Sequence, residues 1–187
     1  VLVIGQTATE LNAAYPNYAF TVVPGDFTVT QNQGGLSVDA EDVEAEYDGN
    51  GHGVVPVAVP SGATIWYYNE ETEAYDLTAS PVQTDVGELE VQFKAVLYGY
   101  ADAYGSATVT ITAKPVTITV ANAQKVYGNG DPTYVDATIG EYIGEELDEL
   151  VLDVIRSDAG DDTLGLHENV LVIGQTATEL NAAYPNY

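Results

Sequence analysis

The sequence contains one eighteen-residue stretch twice, and this repeat constrains the fold more than any other feature. VLVIGQTATELNAAYPNY occupies residues 1–18 and recurs without a difference at residues 170–187. The offset is 170 − 1 = 169 residues, and a match of this length does not arise by chance. The repeat therefore predicts a tandem array with a period of 169 residues. Because the sequence contains no Met, we expect it to be a window on a longer polypeptide.

A period of 169 residues is long for a solenoid repeat and suits two small domains joined in tandem. Apolar residues make up 45% of the sequence, so each domain has enough of them to bury a core. An array of near-identical units indicates a molecule that provides length, multivalency or both.

The chain is strongly acidic, with 29 Asp and Glu against 4 Lys and Arg and a net charge of −25. This balance excludes nucleic acid as a partner, because phosphate binding depends on clusters of Lys and Arg. No apolar run reaches the roughly 18–20 residues of a membrane span, so we expect no direct membrane insertion. The lack of Cys excludes disulfide bonds and thiolate metal sites.

Short β-strands separated by turn signals are predicted through the middle of the chain. In residues 88–96, apolar side chains at every second position alternate with polar ones, which is typical of a half-buried strand. Further strands are predicted at residues 43–47, 54–59, 64–68, 75–77 and 106–112, and beyond them at residues 116–120 and 170–173. Pro56 indicates that the strand containing it lies at a sheet edge or a bulge. This spacing predicts an all-β chain of two Ig-like β-sandwich domains in tandem.

A β-hairpin is predicted at residues 19–30 (AFTVVPGDFTVT), with its turn at residues 24–26. Its apolar side chains, Phe20, Val22, Phe27 and Val29, alternate and are expected to lie on one face. The polar, Gly-rich residues 31–37 are interpreted as a linker, and residues 113–115 as a second one. Residues 144–156 fit both helical and strand spacing; we favour a helical turn at 145–149 and a strand from Leu150.

Two sets of motifs resemble repeats of bacterial surface proteins. Tyr127-Gly128, Asp131-Pro132, Arg156 with Gly160, Asn186-Tyr187 and the Gly25 hairpin together resemble YGX-type MBG repeats. The sequences EYDG (46–49), HG (52–53), TDVG (84–87) and YGY (98–100) are similar to YDG-type bacterial Ig-like repeats. Between them, the two resemblances cover almost the whole chain.

The resemblance implies Ig-like sandwiches in a large adhesin or other extracellular protein, on a bacterial cell surface or in a secreted fibre. It divides the chain into the C-terminal part of an MBG-like domain (1–30), a linker (31–37), a YDG-type domain (38–113) and the N-terminal part of the next MBG-like domain (114–187). That last part lacks its closing hairpin, whose sequence is present at residues 19–30. Either the chain continues with this hairpin sequence, or residues 1–30 of the same chain or of a neighbour fill the gap. In the second case we expect Phe20, Val22, Phe27 and Val29 to serve assembly.

The sequence offers no catalytic motif. It has no P-loop, no nucleophile elbow and no HExxH pair, and His52 and His167 are interpreted as solvated loop residues. We therefore predict that the chain is not an enzyme and has no cofactor except, on one reading, calcium. Asp158, Asp161, Asp162 and Glu168 offer the hard oxygen ligands that calcium prefers, although their spacing is not that of an EF-hand and a solvated loop is the alternative.

Aromatic residues suggest a further kind of site. Trp66, Tyr68, Tyr98 and Tyr100 are candidates for glycan contacts, since exposed rings stack on sugars; half-buried Tyr is also ordinary in β-sandwiches. The leading hypothesis is a structural stalk or spacer whose partners are neighbouring repeats. The alternatives are a glycan- or mucin-binding module for host glycans and a strand-exchanging subunit of a head-to-tail fibre.

Overall fold

The computed structural model describes residues 5–187, which form eleven strands and two short helices. The prediction of a β-rich fold is confirmed. The elements are α1 Ala8–Ala14, β1 Ser37–Asp39, β2 Val43–Glu46, β3 Val57–Val59, β4 Thr64–Asn69, β5 Ala74–Leu77, β6 Gly87–Val96, β7 Ala103–Thr112, β8 Ile118–Thr119, β9 Thr138–Ile139, β10 Val154–Arg156, β11 Leu171–Ile173 and α2 Ala177–Ala183.

A five-stranded sheet dominates residues 37–112, which we call the sheet region. Its strand order is β2-β7-β6-β4-β5, and every neighbouring pair is antiparallel except β2 and β7, which run parallel. A ribbon of β1 and β3 packs against this sheet through β1, beside β7. The strand predictions for residues 64–68, 88–96 and 106–112 are confirmed, and β3, with Pro56 just before it, pairs with β1 alone.

The core of the sheet region follows from the alternation along its two long central strands. On β6, Val91, Phe93 and Ala95 are buried, whereas the side chains between them face outward. Every second residue of β7 from Ala107 to Ile111 is buried as well. Gly105 lies under the Phe93 ring, where a Cβ atom would stand 2.6 Å from Phe93 Cε2. The absence of a side chain there lets β1 approach the sheet.

Residues 113–187, which we call the C-terminal region, have a much less complete core than the sheet region. Their strands form two separate two-stranded sheets, β8–β9 and β10–β11. Within this region, the apolar side chains that are fully buried are those of Leu147 and Leu152. A turn spans residues 144–149 as predicted, but the prediction of a strand from Leu150 is wrong, since β10 begins at Val154.

The two helices are the main departure from the all-β prediction. Each has the sequence ATELNAA and begins after a threonine, Thr7 or Thr176. In each, the threonine hydroxyl accepts from the backbone N–H three residues on, and the glutamate at that position accepts from the threonine N–H. This capping box satisfies orphan backbone donors at both helix starts. Because the two caps are the same, the repeated sequence folds locally in the same way twice.

The predicted hairpin is also absent from the structure. Residues 19–30 contain no strand, and Val23, Phe27 and Val29 are exposed. A two-stranded hairpin gains little stability unless a third strand or another surface covers its apolar face. Residues 1–4, where the first copy of the repeat begins, lie outside the described residues. Neither helix among residues 5–187 has the length and apolarity needed to cross a membrane.

Candidate functional site

Asn186 and Tyr187, at the end of the second repeat copy, join the C-terminal region to the sheet region. The Asn186 side chain is only 6% exposed; its Oδ1 accepts from the backbone N–H of Val86 at 2.9 Å, and its Nδ2 donates to Asp85 Oδ1 at 3.1 Å. The Asn186 carbonyl accepts from the Lys114 N–H at 2.9 Å. We call this set of contacts the junction.

Aromatic packing closes the junction beside these hydrogen bonds. The Tyr187 ring meets the ring of the core residue Tyr47 edge to face, with centroids 5.6 Å apart. The Tyr187 hydroxyl donates to the backbone carbonyl of Ile143 in the C-terminal region. Burial and proximity to other acidic groups, chiefly the burial, raise the pKa of Tyr47. Tyr187 therefore touches both regions at once.

The same two residues of the first copy have a different environment. Asn17 is exposed and Tyr18 is 69% exposed, and among residues 5–187 neither side chain donates or accepts a hydrogen bond. The Tyr18 ring lies 6.1 Å from the Phe20 ring. One sequence thus exists in a docked form at the junction and an undocked form near the start of the chain. The resemblance to MBG repeats singled out the Asn186-Tyr187 pair, but sequence reasoning missed its role as a contact.

The flanking segments attach to opposite ends of the sheet. Asn32, which precedes β1, donates its N–H to the Gly99 carbonyl at 2.9 Å and accepts from Ala101 at 3.0 Å. Gly99 follows the end of β6, whereas the junction residue Val86 precedes its start. A ten-residue strand is about 30 Å long, so the chain enters and leaves the sheet region at sites about that far apart.

The residues predicted to bind calcium lie beside a cluster of ion pairs centred on Arg156. The Arg156 Nε donates to Asp158 Oδ1 at 2.6 Å, and its Nη1 lies 3.1 Å from Asp131 and 3.4 Å from Asp162. Lys125 Nζ lies 2.8 Å from Asp131 and 2.5 Å from Asp162. Hydrogen bonding to Arg156 lowers the pKa of Asp158, and hydrogen bonding to Lys125 lowers those of Asp131 and Asp162. This cluster thus contains two of the chain's four Lys and Arg residues.

His167 belongs to this cluster, which corrects its interpretation as a solvated loop residue. Its Nδ1 lies 2.5 Å from Asp158 Oδ2 and its Nε2 lies 2.9 Å from the Thr163 carbonyl oxygen. Both partners offer hydrogen-bond acceptors, so the geometry favours a proton on each ring nitrogen, as in the imidazolium form. The Thr163 carbonyl and the Asp158 carboxylate accordingly raise the pKa of His167.

The cluster is a poor match for a calcium site. One ligand atom each from Asp158, Asp161 and His167 lies within 4.8 Å of the others, but Glu168 is exposed and outside this group. Calcium takes six to eight oxygen ligands, and an imidazole nitrogen is not among those it prefers. Arg156 and Lys125 already pair with Asp131, Asp158 and Asp162. Calcium binding at Asp158, Asp161, Asp162 and Glu168 stays a prediction, and the geometry favours a self-contained ion-pair network.

The aromatic residues predicted to contact glycans are split between two places. Trp66 and Tyr68 lie on the outward face of β4, while Tyr98 is fully exposed on the loop after β6 and Tyr100 packs beside Gly35. Two further rings lie on the outward face. Tyr75 lies 5.2 Å from Tyr68 and 5.4 Å from Tyr104, between centroids, with Lys94 Nζ 5.5 Å from the Tyr75 centroid. Strand alternation places Tyr104 opposite the core, whereas Tyr75 reaches the outward face through the β-bulge that pairs it with Tyr68 while Leu77 pairs with Tyr67.

The four predicted assembly residues share one exposed segment. Phe20 is 36% exposed, Val22 41%, Phe27 72% and Val29 81%. The Phe20 N–H donates to Asn12 Oδ1 of α1 at 2.5 Å, and the Phe20 ring meets the Tyr15 ring at 6.0 Å. Beyond Phe20, the apolar side chains of this segment have little cover.

An apolar groove of about 410 Å³ opens in the C-terminal region beside α2. Its lining includes Ile118, Ile139, Leu147 and Leu150, together with Asn181 of α2 and Tyr184 just after α2. We call it the α2 groove. Comparisons of the chain with protein-family models, with curated proteins and with solved structures find no match.

Proposed function

We propose that this chain is a structural stalk or spacer segment of a repetitive extracellular fibre or bacterial surface adhesin, built of Ig-like sandwich units and without catalytic activity. The observation that carries the proposal is that the flanking segments attach at opposite ends of the sheet, through Asn32 and through the junction. Domains connected at opposite ends extend in line when they repeat, whereas domains connected at one end fold back on each other.

The junction supports this function because it joins the two regions through specific contacts. Asn186 bridges Asp85, Val86 and Lys114, and Tyr187 packs on Tyr47. Hydrogen bonds of this kind fix a relative orientation better than an apolar contact alone. An array with such a contact in every period would resist bending at that point.

The charge distribution supports the proposal as well. All four Lys and Arg residues pair with carboxylates: Lys94 with Asp102, Lys114 with Glu46, and Lys125 and Arg156 within the cluster. The remaining carboxylates give the chain its net charge of −25, so successive units repel one another and favour an extended arrangement.

Small-angle scattering on proteins of one, two and three 169-residue periods tests this function. The maximum dimension should rise linearly, by at least about 30 Å for each added period, because the sheet alone has that length. The same proteins in urea serve as the control, since an unfolded chain grows with roughly the 0.6 power of its length. A radius of gyration that grows with about the 0.38 power of length, as in compact proteins, would refute the stalk.

Glycan binding is the second candidate function, favoured by the connected rings Tyr68, Tyr75 and Tyr104 on the outward face. An array of mucin-type and other glycans probed with the folded chain tests it. Tyr68→Ala with Tyr104→Ala should then abolish binding, and Val55→Ala, at an exposed valine elsewhere, should not. A folded chain that binds no glycan of the array rules this candidate out.

A further inference from the structure

The two copies of the repeated sequence show what covers the exposed face of its helix. In the first copy, Asn12 and Tyr15 of α1 hold Phe20, the first through the Phe20 N–H and carbonyl and the second through its ring. The residues 169 positions later are Asn181 and Tyr184, and both line the α2 groove. The face that holds Phe20 on α1 is therefore open on α2.

The segment that follows α1 has the chemistry of a groove occupant. Residues 19–30 alternate apolar and polar side chains, and their only charged residue is Asp26, in a chain with a net charge of −25. Val22, Phe27 and Val29 have no extensive cover where they stand, and no strand pairs with the segment. Inserting such side chains among Ile118, Ile139, Leu147 and Leu150 would remove two apolar surfaces from water at once.

The same molecule cannot supply this segment to its own α2 groove. Asn32 is fixed to Gly99 at one end of the sheet, and Tyr187, which also lines the groove, packs on Tyr47 at the other end, about 30 Å away. Phe27 precedes Asn32 by five residues, which reach at most about 18 Å when fully extended. Because Phe27 and Val29 cannot reach this groove in their own molecule, residues 19–30 that fill it as a whole would belong to another molecule.

We propose that the α2 groove binds residues 19–30 of a second copy of this chain. Phe20 would then leave Asn12 and Tyr15 of its own α1 for the identical pair, Asn181 and Tyr184, on α2 of its partner. This exchange replaces each contact of Phe20 with the same contact, so it costs little, as in domain swapping. The gain comes from Val22, Phe27 and Val29, which become buried.

The proposed contact is head-to-tail, because the donor segment and the α2 groove lie on different parts of each molecule. Each copy therefore offers one donor and one acceptor, and association continues into longer chains. This inference does not depend on the stalk function. Scattering that confirms an extended array would stand even if copies failed to associate.

Sedimentation of the full chain over a range of concentrations tests the proposal. The donor variant, Phe20→Asp with Phe27→Asp, should weaken self-association by about 100-fold or more, since the burial of Phe27 is lost and two charged side chains would have to enter an apolar groove. The matched control, Thr21→Asp with Thr28→Asp, adds the same charges to the alternate side of the same segment and should change association little. Equal effects of the two variants, or an unmodified chain that stays monomeric, would overturn the proposal.

A mixing experiment identifies the acceptor. Leu150→Asp places a charge in the α2 groove but leaves the donor segment unchanged, so this acceptor variant and the donor variant should each be monomeric alone. Mixed together, they should form one-to-one dimers and nothing larger, because each supplies what the other lacks. A mixture that remains monomeric contradicts the proposal.

A peptide provides a measurement that does not depend on how well the acceptor variant folds. A fluorescent peptide with the sequence AFTVVPGDFTVT should bind the donor variant, whose groove is intact, and unlabelled unmodified chain should compete for it. The same peptide with aspartate at both phenylalanine positions should not bind. No increase in fluorescence anisotropy with the donor variant would refute the assignment of the groove.

Discussion

Asn186→Asp tests the contribution of the junction to stability. It exchanges a side-chain amide for a carboxylate of nearly the same shape. The substitution removes the Nδ2 donor that reaches Asp85 Oδ1 at 3.1 Å and places a second carboxylate there. Leaving a buried hydrogen bond unmade costs about 1–3 kcal/mol. The repulsion of two carboxylates at a partly exposed site adds about 1 kcal/mol. We expect Asn186→Asp to lower the free energy of unfolding by about 2–4 kcal/mol at neutral pH.

The chain contains its own control for this experiment. Asn17 has the same sequence context and is exposed, so Asn17→Asp makes the same chemical change without a buried partner among the described residues. Its effect should stay within about 0.5 kcal/mol, as for other surface substitutions. Urea unfolding followed by the fluorescence of Trp66, the only tryptophan, reports on the sheet region to which Asn186 is attached.

Added salt separates the two parts of the effect. It screens the repulsion between the two carboxylates at this partly exposed site but leaves the altered hydrogen bonding in place. The difference between Asn186→Asp and Asn17→Asp should therefore shrink as the ionic strength rises. Equal free energies of unfolding for the two variants at neutral pH would refute the junction as described.

Three further predictions concern the core, the ion cluster and the caps. Gly105→Ala should cost about 1–3 kcal/mol in urea unfolding, because its Cβ would stand 2.6 Å from Phe93 Cε2; an unchanged midpoint would contradict the packing. The loop around His167 should exchange its amides most slowly between about pH 4 and pH 6.5. The raised pKa of His167 gives stability that is lost as the pH rises through it, and the lowered pKa of Asp158 gives stability that is lost as the pH falls. Exchange that does not depend on pH, after correction for intrinsic rates, would exclude the imidazolium. Thr176→Ala should cost about 0.5–2 kcal/mol of helix stability by removing the cap of α2; retention of the α2 signals in the NMR spectrum with full protection would argue against it.

The sheet region could be predicted from the sequence because the alternation that defines its strands lies within short stretches of the chain. The alternation along residues 88–96 gave both the strand β6 and its buried face, with Val91 and Phe93 in the core. The helices were missed although their signal was present. Thr176 followed three residues later by Glu179 is the capping-box pattern, but the segment is only seven residues long, so its hydrophobic periodicity is weak.

The ion cluster and the junction could not be predicted, because they depend on residues distant in the chain. Arg156 meets Asp131 across 25 residues, and Asn186 meets Asp85 across 101. Strand pairing and loop closure bring these residues together, and neither leaves a pattern in the local sequence. The prediction of a hairpin at residues 19–30 was wrong for the converse reason. Its local pattern is strong, but pairing requires a surface that this segment does not find in the structure.

The parallel pairing of β2 and β7 has a mechanical consequence. The chain approaches β2 from the Asn32 side and leaves β7 toward Lys114, so a pull on the two flanking segments draws these neighbouring strands in opposite directions along their own axes. The force then acts across all the hydrogen bonds between Val43–Glu46 and the end of β7 together, in shear, instead of opening them one after another. Strands loaded in this way resist separation, and the sheet region should be the last part of the chain to yield under tension.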